Sequence, residues 1–369
     1  MKRCAASLLL LLLYALLVVS LSRVDALNLK LKGVNYDFRR GPDGDPTRCK
    51  VPAKINKELS ALASITPRIR IYSVSDCNVR PILKYARLYN LSVWMGVWVG
   101  NTTNIFENEL KTLTKLVSEG AIDTELVVCV NVGSEALYRN DTTPEQLIAN
   151  MQSVKELFKA NSLESIPITI TDTLDSLLSH PEVVDAVDIV SLNAFPFWSK
   201  IPVEDAAANL NESIAPLAKI VGRKEIVITE TGWATDGSDH RASKASPESA
   251  ARYLNDFFLL AEQNQWMYYY FSGFDTPYRK QMENNVNTVE AYFGIFSVGA
   301  NMIKAYEQLV INGTDGEDGP TTNITTKVIA TVPSPSPASA SAVLMTANAL
   351  CVAITTSLTL LIAMLDDLF

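Results

Sequence analysis

Residues 226–235 read IVITETGWAT. Three β-branched apolar residues run into Thr229, a lone carboxylate follows at Glu230, and glycine and tryptophan close the stretch. A short, almost wholly apolar run of this kind predicts a strand buried on both faces, as in a parallel sheet covered by helices. An acid at the end of such a strand needs a partner or a purpose, because an unpaired buried charge is costly.

The same grammar repeats on either side of this stretch. Apolar, β-branched or aromatic runs predict strands over residues 29–36, 68–73, 92–99, 126–132, 167–171, 187–195, 226–230 and 267–274. Between them lie segments such as KINKELSALAS, IFENELKTLTKLVSEG and PESAARYLNDFFLLAEQN, where leucine and alanine recur three and four apart. Thr143-Pro144 and Ser246-Pro247 mark helix starts, with the hydroxyl residue as N-cap and proline in the first turn. Eight strand–helix units predict an α/β chain closed as a (β/α)8 TIM barrel, forming a single catalytic domain over residues 27–310. An open doubly wound sheet would want a glycine-rich phosphate loop after its first strand, and Gly33-Val34-Asn35-Tyr36 is not one.

In such a barrel the strand C-termini converge on one mouth, so polar residues that end apolar strands face ligand. Glu230 ends the seventh strand, and Glu135 ends the fourth in VVCVNVGSEALYR (127–139). Paired carboxyl groups are what glycosidic bond cleavage requires: one protonates the leaving oxygen while the other attacks or stabilises the sugar cation. Tyr36, Trp98, Phe195, Phe197, Trp198, Trp233, Phe271, Phe274 and Tyr278 crowd the same strand ends, and flat rings suit the apolar faces of sugars.

Composition narrows the alternatives. The 369 residues are 48% hydrophobic with a net charge of −8, which allows a large core and gives no basic surface for nucleic acid. Two histidines, His180 and His240, provide no metal cluster, and no Gly-x-Ser-x-Gly elbow occurs, so neither metal nor cofactor is expected. A monomer is expected. Residues 1–26 combine Lys2 and Arg3, an apolar run and Val24-Asp25-Ala26, the pattern of a secretory signal peptide. Sequons at Asn90, Asn101, Asn140, Asn211, Asn312 and Asn323 agree with export. Cys129 lies within the apolar LVVCVNV, so Cys49 and Cys77 are paired and Cys129 is left reduced. Residues 311–342, containing NGTDGEDGP and PSPSPASASA, read as a disordered stalk. Residues 343–369 read as a glycosylphosphatidylinositol attachment signal, or else a membrane tail, which places the protein at the cell surface or wall.

The ordered motifs LKGVNYD, RIRIYSVSDC, VNVGSEALYR, LNAFPFW, ITETGWATDG and FSGFDTPYR…AYFGIF resemble glycoside hydrolase family 17, the β-1,3-glucanases and glucanosyltransferases. The resemblance implies a retaining mechanism on β-1,3-glucan, with Glu135 as acid/base and Glu230 as nucleophile. It further implies Tyr36, Ser134, Asn193, Phe195, Trp233, Phe271, Asp275 and Arg279 as substrate-binding residues. The chain departs from the plant pattern at Ser134, where plant members have asparagine, and at Phe195, where they have tyrosine. Thr276 and Arg279 replace a glutamate and a lysine, with Asp275 next door as a substitute acid. Endo-hydrolysis, glucanosyl transfer and glucan binding by a catalytically weak surface protein are the functions this leaves open.

Overall fold

A computed structural model describes residues 30–307 and 309. The signal peptide, stalk and tail expectations, together with Asn312 and Asn323, lie outside the described residues.

The eight strands are β1 (Val34–Asn35), β2 (Arg68–Arg70), β3 (Ser92–Val97), β4 (Val127–Ser134), β5 (Ile168–Thr173), β6 (Val190–Asn193), β7 (Ile226–Thr231) and β8 (Met267–Tyr270). Each pairs in parallel with the next, and β1 pairs with β8 through Val34 and Tyr270, so the sheet closes as the expected barrel. Helices α1 (Pro52–Ala63), α2 (Arg80–Leu88), α3 (Thr103–Ser118), α4 (Pro144–Ala160), α5 (Leu174–Ser179), α6 (Pro181–Ala186), α7 (Val203–Ile220) and α8 (Pro247–Gln263) fill the crossovers. Two short helices, α9 (Arg279–Met282) and α10 (Lys304–Glu307), follow the last strand. The two expected caps are formed: Thr143 accepts from the Gln146 amide at 3.3 Å, and Ser246 from the Ser249 amide at 3.0 Å.

Strands β1 and β8 are shorter than their apolar runs. Beyond Tyr270 the regular ladder breaks up: the Phe271 and Gly273 amides still donate to the Thr231 and Asn35 carbonyls of β7 and β1, while Ser272 pairs with a returning segment, its amide donating to the Phe293 carbonyl and its carbonyl accepting from the Ile295 amide. These bonds satisfy the buried backbone without a regular strand, a difference that a hydrophobicity pattern does not register.

Valines and isoleucines at the outward positions of the strands pack under the helices as one continuous core. Inside the barrel, Trp94, Cys129, Val227 and Tyr269 form a separate apolar layer. Cys129 is buried and reduced, as its surroundings in the sequence predict. Above that layer the interior is polar. Trp94 donates to Asn131 at 2.9 Å, Thr171 and Ser191 hydroxyls meet at 2.9 Å, and the Asn35 amide donates to the Thr229 and Tyr269 carbonyls. This polar layer is the floor of the mouth.

Asn90, Asn101 and Asn140 are exposed, while Asn211 is part-buried on α7. The Cys49–Cys77 disulfide joins the segment after β1 to the segment after β2, with its Cα atoms 5.6 Å apart. It closes a loop of 28 residues, so Cys49→Ala/Cys77→Ala is expected to cost about 3–4 kcal/mol through the unfolded chain. The corresponding fall in Tm, roughly 10 °C, is read by calorimetry of the purified variant.

Candidate active site

The two strands that lead to the glutamates carry the same local irregularity, which turns Glu230 inward on β7 and Ser134 inward on β4. Asn131 pairs with Thr169 and Ser134 with Thr171, so β4 advances three residues where β5 advances two. Ile228 pairs with Tyr268 and Thr231 with Tyr270, so β7 makes the same extra step against β8. An extra residue reverses the inward–outward alternation and re-aims the side chains beyond it. Val227 faces the barrel interior, and without the bulge Glu230 would fall on the helix-covered face. At the end of β4 the chain turns through positive φ at Gly133 (76°) and, one residue past the strand, at Glu135 itself (57°). Gly232 is required for a different reason: a Cβ there would lie 2.1 Å from the Phe271 carbonyl oxygen.

Glu230 is held by a buried cation. Arg70 on β2 is fully buried, and its guanidinium donates to Glu230 Oε1 at 2.6 Å, to Asn35 Oδ1 at 2.9 Å and to Ser134 Oγ at 3.1 Å. Asn35 is itself fixed by its donations to strand carbonyls, so the guanidinium has little freedom to move. A buried pair of this kind stabilises the carboxylate against its loss of water only because each partner is also hydrogen-bonded.

Glu135 has a contrasting environment. Its pKa is raised to about 7, first by burial and second by the neighbouring Glu230 charge. The Asn193 side-chain amide, donating at 2.8 Å, and the Arg139 cation act in the opposite direction. Asn193 in turn accepts from the Thr229 hydroxyl at 2.9 Å, so it links the two strand ends. Buried Asp172 accepts from the Leu137 amide at 2.9 Å and the Thr173 amide at 2.8 Å, anchoring the turn that follows Glu135.

Glu135 and Glu230 line one open cleft of about 1380 Å³. Ser134, Asn193, Phe195, Phe271 and Arg279 line it too, as expected. Three expected residues do not. Tyr36 is fully buried and donates to Glu58 at 2.7 Å, because its neighbours Lys50 and Glu58 form a charged cluster behind β1. Trp233 is buried beneath Phe197, with ring centroids 5.1 Å apart, and its indole donates to the Lys244 carbonyl. Asp275 accepts from the Gly294 amide at 3.0 Å and is pushed up to about 6 by burial, away from the cleft lining. Of the remaining aromatic residues, Trp98, Trp198 and Tyr278 line the cleft, whereas Phe197 and Phe274 are buried.

Four lining or supporting residues escaped the sequence reading: Asn35, Arg70, Tyr72 and Glu290. For two of them a signal existed. In RIRIY (68–72), strict alternation puts Arg68, Arg70 and Tyr72 on one face, opposite Ile69 and Ile71. Glu290 reaches the cleft from the loop beyond β8, close to Arg279, where no periodicity points to it. Burial raises its pKa and Arg279 opposes the rise.

Two outcomes follow from these contacts. In Glu230→Gln the second cause of the Glu135 shift is gone, so the Glu135 midpoint, read by carbon-13 NMR titration of the carboxyl, falls below about 7. Arg70→Met leaves Glu230 without its cation and Asn35 and Ser134 without a donor. Urea denaturation at pH 7 is expected to show a loss of about 3–5 kcal/mol.

Residues 33–294 match the family model described as the BtgE/BtgC glycoside hydrolase domain. The putative glucan endo-1,3-beta-glucosidase btgC of Aspergillus niger is 27% identical over 271 residues, which are 67% of this chain and 39% of that protein. The chain thus spans about two fifths of the length of the first curated relatives it matches. A glucan 1,3-beta-glucosidase of Candida albicans is 31% identical over 229 residues, covering 58% of this chain and 73% of that one. Among solved structures, the glycoside hydrolase family 17 beta-1,3-glucanosyltransferase of Rhizomucor miehei superposes with a TM-score of 0.66 at 28% identity, covering 74% of this chain and 96% of that chain. The same fungal enzyme, as an active-site mutant, has been solved with laminaritriose. A family match that runs from β1 to beyond β8, with the motif resemblance to glycoside hydrolase family 17 borne out by that neighbour, makes this chain a member of the BtgE/BtgC glycoside hydrolase family.

Proposed function

We propose that this chain is a retaining endo-β-1,3-glucanase, with Glu135 as acid/base and Glu230 as nucleophile. The observation that carries the reading is the pairing in one cleft of a carboxyl pushed up to about 7 with a carboxylate ion-paired to Arg70. Glycoside cleavage needs that division of labour between two carboxyl groups. The protonated Glu135 gives its proton to the glycosidic oxygen as the bond to C1 breaks, and a Glu230 oxygen bonds to C1 from the opposite face. Glu135, now ionised, takes a proton from water, whose oxygen displaces Glu230 and regenerates both groups. Arg70 keeps the attacking carboxylate in place throughout. β-1,3-Glucan as substrate is supported by the printed activities of the Aspergillus and Candida relatives.

The leader-like residues 1–26, the sequons, the stalk at 311–342 and the tail at 343–369 support a place at the cell surface, held by a lipid anchor or the tail itself. Glucanosyl transfer is a second reading of the same chemistry, favoured by the Rhizomucor miehei neighbour and by the exposed Tyr138 and Met282 on the cleft walls, which offer apolar area to an acceptor sugar. Products longer than the starting oligosaccharide would assign transfer; shorter products alone assign hydrolysis.

Glu135→Gln is expected to reduce turnover of laminarin oligosaccharides by about 10²- to 10⁴-fold, and Glu230→Gln by at least as much. Activity of the parent enzyme should fall as pH rises through about 7, because the acid form of Glu135 is lost there. A pH–rate profile with no alkaline decline up to about pH 9, or full activity in Glu230→Gln, would exclude the assignment.

A further inference from the structure

Tyr72 stands two residues beyond Arg70, just past the end of β2, and lines the cleft beside Glu230. Its ring lies under the Arg70 guanidinium, 4.8 Å from the centroid, and so shares the cation that holds the nucleophile. The ring is part-exposed to the cleft, but its hydroxyl oxygen is buried and has no hydrogen-bond partner among the described residues. Buried hydroxyl groups are almost always paired, so an unpaired one at the edge of a reactive carboxylate calls for a role. Burial, and after it the Glu230 charge, holds this phenol well above its ordinary pKa, so it is a neutral donor. Across the cleft, residue 195 is phenylalanine, packed edge-on against Phe271 and Phe293 at 5.6 and 5.9 Å, and brings no hydroxyl to the site.

We propose that Tyr72 is a positioning residue for the nucleophile: its phenol donates a hydrogen bond to the Glu230 carboxyl group during glycosyl transfer, supplying from the segment after β2 the hydroxyl that Phe195 does not carry. In the resting site the Glu230 carboxyl already bears on the phenol, but without good hydrogen-bond geometry, and the bond aligns when substrate draws the groups together, as active-site hydrogen bonds commonly do. Arg70 takes Oε1 of Glu230 at 2.6 Å, so a second donor fixes the rotation of the carboxyl about its own axis. The phenol keeps its proton throughout. The residues around Tyr72 are themselves secured: Ser73 and Ser75 both donate to the buried Glu109 carboxylate, as does the Val74 amide at 2.9 Å.

This inference rests on Glu230 being the nucleophile, and the test separates the two claims. The full-length protein is treated with 2-deoxy-2-fluoro-laminaribiosyl fluoride, whose C1–F bond breaks as a Glu230 oxygen bonds to C1 and fluoride leaves with the electron pair. Intact mass and peptide mapping locate the adduct, and the time course gives the first-order trapping rate. Tyr72→Phe is expected to slow trapping about 10- to 100-fold, the worth of one hydrogen bond to a charged group, with half-saturation changed less than about twofold. Tyr72→Met, run alongside and checked for folding by circular dichroism, is expected to slow it at least as much. Equal trapping rates in parent and variants, or a change confined to half-saturation, would overturn the role of Tyr72. Failure of the parent protein to form any adduct at Glu230 would overturn the retaining assignment itself, and this inference with it.

Discussion

One buried guanidinium organises the mouth of the barrel. Arg70 reaches from β2 to residues on three other strands: Asn35 on β1, Ser134 on β4 and Glu230 on β7. A charge in that position is tolerable because its two terminal nitrogens are answered by strand-end residues whose backbones are already fixed by the barrel. The site is therefore rigid in the sense that matters for catalysis. Its dipoles and charges are set before substrate arrives and need little reorganisation during the reaction.

Closure of the barrel was legible from the alternation of apolar runs with helical periodicity, and so was the convergence of Glu135 and Glu230 on one mouth. The capped helix starts at Ser246 and Thr143 and the disulfide between Cys49 and Cys77 were legible for equally local reasons. What could not be read was parity. A strict two-residue period counted from Val227 predicts the wrong face for Glu230, and the bulge in β7 is what brings it round; in β4 the bulge brings Ser134 round to Arg70 instead. Nothing in the composition of VNVGSE or ITET announces an extra residue, apart from Gly133.

The misplaced residues have a common cause. Tyr36, Trp233 and Asp275 sit inside motifs that surround the cleft, yet proximity in sequence to a site residue does not specify which way a side chain points. Tyr36 turns back to Glu58, Trp233 packs on Phe197, and Asp275 is consumed by a backbone amide. Conversely, Arg70 and Tyr72 were visible in principle. An arginine inside a strand buried on both faces has no solvent to reach, so it must face the barrel interior and must have an acid waiting there.

The left-handed backbone at Glu135 has a consequence for how such a chain can change over generations. A non-glycine residue at φ 57° carries a conformational penalty of about 1 kcal/mol or more that glycine would avoid. Drift toward a more durable fold therefore pushes this position toward glycine, and the role proposed for the carboxyl is what would retain the glutamate. A descendant freed from that selection would be expected to shed this carboxyl early and to melt at a higher temperature for having done so.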